Sequence, residues 1–312
     1  MATRLATTVL GRTGLQITRL GYGAMELRGP RIWSGRPVTE GQAETVLNAV
    51  LDAGINFIDT SNDYGRSEEF IGKYLAGRRA EYHLATKCGC LVTRRDEHTD
   101  DTPHLYTREN LFRGLHESLA RLKTDCVDLI QLHNPHVDVC QQEKCVEALQ
   151  EMRRQGKARF IGISTALPHL PVYLRWGLFD TFQIPYSALE REHEEWLTEA
   201  GRAGLGVIVR GGVAKGEPGI GEGQADRWAK FQAARLDELR EPGESRTAFL
   251  LRYTLTHPEA DTVIVGTLDP EHVAENVGAL ARGPLPLAVY SEAQRRLTAA
   301  GVAPSAVTQT CA

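Results

Sequence analysis

The sequence predicts a single (β/α)₈ TIM barrel with an N-terminal β-hairpin, residues 1–312 forming one domain. Three observations carry that prediction. From residue 40 onward, short apolar runs alternate with stretches whose apolar residues recur at helical spacing. The short runs are apolar on both faces, as strands are in a parallel sheet covered by helices. No linker or shift in composition divides the chain, so eight strand–helix units fill it. A doubly wound sheet is the rival, but no Gly-x-Gly-x-x-Gly stands at the first strand–helix junction.

The opening TTVLGRTGLQITRL holds two alternating runs around Arg-Thr-Gly, a hairpin placed to plug the barrel's N-terminal end. RLGYGAM, near residue 22, is the first barrel strand. In TEGQAETVLNAVLDAG, Ala43, Val46, Leu47, Val50 and Leu51 share one helical stripe. Thr39 and Gln42 form a capping box at its start, and Gly54 stops it. INFID is the second strand, followed by a helix from about Ser67 to Leu75. YHLATK is the third, and Leu111, Leu115, Leu119 and Leu122 mark the next helix. CVDLIQLH is the fourth; Val146, Leu149 and Met152 then lie on a helix ended by Gly156. ARFIGIS, TFQIPY, GVIVRG and TVIVG complete the eight.

Composition limits the function classes. The chain is 42% hydrophobic and 24% charged, as soluble globular proteins are. A formal charge of −4 without a basic stripe argues against nucleic acid as a partner. No apolar run approaches the roughly 20 residues that span a bilayer. The start, MATRLATTVLGRTG, lacks the apolar core of a signal peptide, so the expected compartment is the cytoplasm. Cys88, Cys90, Cys126, Cys140, Cys145 and Cys311 are therefore expected as free thiols. The oligomeric state is not legible.

In such a barrel the chemistry gathers at the carboxyl ends of the strands. The second strand ends at Asp59, with Tyr64 in the loop it feeds; the third ends at Lys87 and the fourth at His133. Singly, Asp59 reads as a turn cap, Tyr64 as a packed aromatic and His133 as a rim histidine. Lys87 resists such a reading, because a lone buried ammonium is costly. Together the four suit proton donation to a developing alkoxide. The ammonium lowers the phenol's pKa, the carboxylate holds the ammonium, and the imidazole orients a carbonyl oxygen. None of them supplies an electron pair, which points to a hydride from a nicotinamide.

Along nearly its whole length the chain resembles the aldo-keto reductase family. LGRTGLQITRLGYGAM, GINFIDTSNDYG, LATKCG, LIQLHNP, GKARFIGIS, FQIPYS and VIVGTLDPEHVAENV fall in the family's order. The resemblance implies Asp59, Tyr64, Lys87 and His133 as a catalytic tetrad, with Tyr64 as general acid. It implies NADP(H) bound in extended form, with NAD(H) as the alternative, and a small-molecule aldehyde or ketone as substrate. For the cofactor it implies Ser164 and Gln183 at the nicotinamide carboxamide, beside Thr165 where relatives have Asn. Arg210 stands where relatives place a stacking aromatic, followed by Gly211; a guanidinium also stacks. Gly266 and Thr267 precede a helix started by Asp269 and Pro270, whose free N–H groups suit a phosphate. Between Gly266 and Asn276 the only basic side chain is His272, and Glu275 and Asn276 match adenine contacts. A nucleotide-binding regulatory subunit with little turnover is the alternative function. A metal-dependent hydrolase using His133, His136 and Asp59 is a further rival.

Four other features stand out in the sequence. His133, His136, Cys140 and Cys145 lie close together, but their spacing matches no common zinc pattern, so no metal is expected. Cys88 and Cys90 lack the two-residue spacer of a redox pair. The polar stretch from Leu91 to Tyr106 is long enough to cover part of a pocket, and MELRGPRIWSG with Trp33 offers another wall.

Overall fold

Residues 5–307 are described by the structure, a computed structural model, and the chain enters it through the expected hairpin. Strands β1 (Thr7–Val9) and β2 (Gln16–Thr18) pair antiparallel, Val9 opposite Gln16. Their linker brings Gly11 against the backbone of Gly206, where a Cβ would lie 2.1 Å from the amide nitrogen. Only glycine fits that approach. Leu10, Leu15 and Ile17 pack on Phe57, Ala85, Leu129 and Ile208, which lie low on four barrel strands. The hairpin is a plug.

The barrel begins with β3 (Leu20–Gly23), α1 (Glu40–Asp52), β4 (Phe57–Asp59), α2 (Ser67–Tyr74) and β5 (His83–Cys88). Thr39 Oγ1 accepts from the Gln42 N–H while Gln42 Oε1 accepts from the Thr39 N–H, so the capping box forms as read. A small hairpin, β6 (Thr93–Arg94) with β7 (Asp100–Asp101), interrupts the pattern before α3 (Arg108–Leu122). Then come β8 (Val127–His133), α4 (Val137–Gln142), α5 (Cys145–Arg154), β9 (Ala158–Ser164), α6 (Leu170–Trp176) and β10 (Thr181–Pro185). The chain continues through α7 (Glu194–Arg202), β11 (Gly206–Arg210), α8 (Ala225–Ala233), α9 (Arg246–Thr256), β12 (Thr262–Val265), α10 (Pro270–Arg282) and α11 (Leu287–Ala299).

β3, β4, β5, β8, β9, β10, β11 and β12 are neighbours in that order and close into a parallel barrel. Both faces are covered, which is why the strands carry apolar runs with little alternation. Register then fixes the rim. Asp59 lies beside Gly23 and Ala85, Lys87 beside Gln131, His133 beside Ser164, and Ser164 beside Gln183. Five cysteines are free thiols; Cys311 lies outside the described residues. Among the described residues no helix is long and apolar enough to cross a membrane.

Leu10 is fully buried in the plug. Leu10→Ala should cost about 2–5 kcal/mol, through lost burial and the cavity left behind. Urea unfolding should show this as a lower midpoint at unchanged slope; a wild-type midpoint would mean the plug adds no stability.

Candidate functional site

Asp59 ends β4 almost completely buried, at 1% exposure, and both its oxygens accept hydrogen bonds. Oδ2 lies 2.5 Å from Lys87 Nζ. Oδ1 accepts from Gln131 Nε2 at 2.9 Å and from Gln183 Nε2 at 2.8 Å. Lys87, equally buried, donates a second bond to the Thr60 carbonyl at 2.8 Å. The same ammonium lies 4.8 Å from the centre of the Tyr64 ring. Burial pulls the Lys87 pKa down, but Asp59, then Tyr64, outweigh it and push it up to about 12. The ammonium is therefore permanent at neutral pH.

Tyr64 closes a turn in which its N–H donates to the Ser61 carbonyl. Gly65 follows because a Cβ there would meet the Arg28 carbonyl oxygen at 2.1 Å, at a φ of 46°. The Tyr64 ring stands edge-on to Trp33 and His133, at centroid distances of 6.0 and 6.1 Å. Lys87 does draw the phenol toward ionisation, as the sequence leads one to expect. Burial is the larger effect, however, and with Asp59 and Asp63 it holds the Tyr64 pKa above its ordinary 10.0. That corrects the expected direction: Tyr64 is a well-protonated donor.

His133 ends β8, held by Tyr106, whose hydroxyl donates to the His133 carbonyl at 2.6 Å. Its Nδ1 lies 3.1 Å from Cys90 Sγ and 3.5 Å from Asp63 Oδ2. Burial disfavours the Asp63 carboxylate, but His133 more than offsets this and holds its pKa well below the usual range.

Asp59, Tyr64 and His133 open onto a cleft of about 510 Å³, with Lys87 behind them. Ser164, Gln183, Arg210 and Gly211 line the same cleft, as do Gly266, Thr267, His272, Glu275 and Asn276 after β12. Thr165 does not: it is buried off the wall, its N–H donating to the Gln183 carbonyl. Gln183 reaches the wall: its Nε2 donates to Asp59 Oδ1 at 2.8 Å, while its Oε1 takes no bond from the described residues. Ser164 Oγ and Arg210 Nε are buried without any partner. Burial lowers the Arg210 pKa, and it makes no ion pair among the described residues. Two orphaned polar groups on one wall fit an amide-bearing planar ring such as nicotinamide. At α10, Asp269 Oδ1 accepts from the Glu271 N–H at 2.9 Å behind Pro270, the N-cap read from the sequence.

Trp33 lines the cleft as proposed, together with Met25 and Glu26. The stretch from Leu91 to Tyr106 contributes nothing to that lining. It is drawn aside by Arg31, which donates to Asp100 at 2.8 Å, and only His104 reaches the His133 ring. Sequence reasoning missed Asn134, Arg36 and the crossing loop Lys215–Glu222. Asn134 directly follows a strand-end histidine, and KGEPGIGEG is glycine-rich after the seventh barrel strand; either signal was available. The crossing is tied down by Glu222 to Arg36 (3.5 Å) and Arg28 (3.7 Å), and by Glu217 to Arg246 (2.5 Å).

Residues 19–295 match the model of the aldo/keto reductase family. The chain belongs to the aldo/keto reductase family. Its members are oxidoreductases that use nicotinamide cofactors, and the closed barrel with its N-terminal hairpin is that family's fold. Among curated relatives, the uncharacterized oxidoreductase YqkF of Bacillus subtilis is 29% identical over 86% of this chain and 89% of its own. L-galactose dehydrogenase of Arabidopsis thaliana is 28% identical over 89% of each. Among solved structures, the holo form of aldo-keto reductase AKR11C1 from Bacillus halodurans superposes with a TM-score of 0.81. It shares 29% identity, covering 98% of this chain and 99% of that one.

Because Lys87 has a higher pKa in the fold than its ordinary 10.5, the pair's stabilisation is complete below pH 10.5 and lost as pH rises through about 12. Asp59→Asn strands the buried ammonium and should cost about 3–5 kcal/mol near neutral pH. With the carboxylate gone, burial dominates at Lys87 and the slope reverses, the variant gaining stability between about pH 7 and 10. Denaturant midpoints of wild type and variant, followed from neutral pH up through about 12, check these expectations.

Proposed function

We propose that this aldo/keto reductase reduces an aldehyde or ketone, with Tyr64 as the proton donor. The observation that carries the reading is the buried Lys87–Asp59 pair set against the Tyr64 ring, beside a cleft whose wall presents unpartnered Ser164 Oγ and Arg210 Nε. A reduced nicotinamide, when bound, supplies the hydride that the carbonyl carbon accepts. As that bond forms, the carbonyl π pair moves to oxygen, and the Tyr64 O–H gives it a proton to complete the alcohol. Lys87 stabilises the phenolate left behind, and Asp59 keeps Lys87 in place. The His133 imidazole, edge-on to Tyr64, donates to the carbonyl oxygen and fixes its direction.

Ser164, Gly211, Gly266, Thr267, His272, Glu275 and Asn276 are the proposed cofactor contacts, with Arg210 stacking on the nicotinamide. Gln183 braces Asp59 through Nε2 and offers its Oε1 to the carboxamide, whereas Thr165 stands behind the wall. NADP(H) is the proposed cofactor: the Lys215 ammonium lines the cleft outside any ion pair among the described residues, and the His272 imidazole is a further hydrogen-bonding group there for a 2′-phosphate. A titration of NADPH against NADH by protein fluorescence checks this, and tighter NADH binding would assign NAD(H) instead.

Tyr64→Phe should lower turnover of a generic aldehyde by about 10²–10⁴ while leaving cofactor affinity near wild type. Persistent turnover would place the proton elsewhere. Since the Tyr64 pKa lies above 10.0, the reductive rate should hold through neutral pH and decline only beyond about pH 10. A pH–rate profile tests that limit.

A further inference from the structure

We propose that Cys90, His104 and the Nδ1 side of His133 form a binding site for a zinc-like divalent cation, and that its occupation inhibits the enzyme. Cys90 and His104 face each other across an antiparallel bridge that closes the base of the loop after β5. That bridge sets the two side chains against His133. Cys90 Sγ is 3.1 Å from His133 Nδ1, the two imidazoles are 5.6 Å apart, and the three candidate ligand atoms lie within 4.8 Å of one another. One sulfur and two imidazoles select zinc or a similar borderline cation over magnesium or calcium.

A second observation points to the same place. Asp63 Oδ2 is fully buried and has no hydrogen-bond partner, although it stands 3.5 Å from His133 Nδ1. It lies outside the three-residue set, and its carboxylate charge would stand beside a cation held by Nδ1. The remaining position on the cation is left to water. His104 is exposed, so the site is reached from solvent and one ligand is free to swing inward. This is not the group weighed in the sequence: His136 packs on His169, and Cys140 and Cys145 are buried elsewhere.

Binding forms a metal–sulfur bond and two metal–nitrogen bonds, and the Cys90 S–H proton leaves to solvent; nothing is oxidised or reduced. Tetrahedral bonds of about 2.3 Å to sulfur and 2.0 Å to nitrogen set neighbouring ligands roughly 3.5 Å apart. Cys90 Sγ and His133 Nδ1 are closer than that, so the cation must wedge them apart and turn the imidazole from its present edge-on position beside Tyr64. The inhibition rests on the proposed role of His133 in the reaction; the metal site does not.

The test uses the full chain, freed of metal, with Co²⁺ as an optical probe. Wild type should develop thiolate-to-cobalt charge-transfer bands and tetrahedral d–d bands, saturating at one cobalt per chain and bleached by Zn²⁺. Cys90→Ala and His104→Ala should lose them. Zn²⁺ should lower wild-type turnover by about tenfold or more, reversibly with EDTA. His104→Ala, altered at an exposed loop position, should keep metal-free activity and resist Zn²⁺. Absence of the bands in wild type, or their persistence in His104→Ala, would overturn the site. Bands without loss of turnover would overturn its coupling to the reaction. Failure to reduce any carbonyl would instead count against the proposed activity, because the cobalt spectra are read without substrate.

Discussion

The ion pair between Lys87 and Asp59 is the constraint on which the rest of the site depends. A buried ammonium is tolerated only where its charge and donors are met, and a buried carboxylate only where its lone pairs are used. Asp59 satisfies both demands by binding Lys87 through one oxygen and the amides of Gln131 and Gln183 through the other. Those groups come from β4, β5, β8 and β10, so the carboxylate braces four of the eight strands. A one-residue slip in any of them would turn its side chain to the opposite face and leave charge unpaired. Register and electrostatics therefore enforce each other, and Tyr64 inherits a fixed ammonium beneath its ring.

The walls of the cleft follow a different logic. The brace sits on strands, whereas Trp33, Glu26 and Arg36 lie after β3 and Lys215 to Glu222 after β11. These loops are joined by side-chain ion pairs, with no backbone ladder between them. Arg210 sits between the two regimes: it ends a strand, yet its Nε is buried without a partner. Such a group is tolerable in a site that receives a ligand and costly elsewhere.

Much of this was legible in the sequence, for identifiable reasons. The eight strands could be read because their apolar runs are bounded by polar residues, and the rim residues because barrel chemistry collects where those runs end. Asp59, Tyr64, Lys87 and His133 were found in that way. Gln131 was not, although a glutamine inside the otherwise apolar DLIQLH is a buried polar group in need of a partner. Gln183 was placed at the cleft, but its second task was not seen, because its bond to Asp59 spans 124 residues of sequence. Thr165 was placed on the wall because relatives have Asn at that position, whereas here it is buried and neighbouring residues at a strand end face opposite ways. The direction of the Tyr64 pKa needed a measure of burial that spacing does not supply. The meeting of Cys90 and His104 required knowing how the stretch between them, which carries the β6–β7 hairpin, folds back on itself.

The crossing over the cleft has one more consequence. Arg36 is 51% exposed and Glu222 33%, so dissolved ions reach the contacts that hold the loop to the opposite wall. The Asp59 brace, sealed from solvent, is beyond such screening. Ionic strength therefore acts on one tier of the molecule and spares the other: salt loosens the strap over the cleft while the reacting groups beneath keep their places.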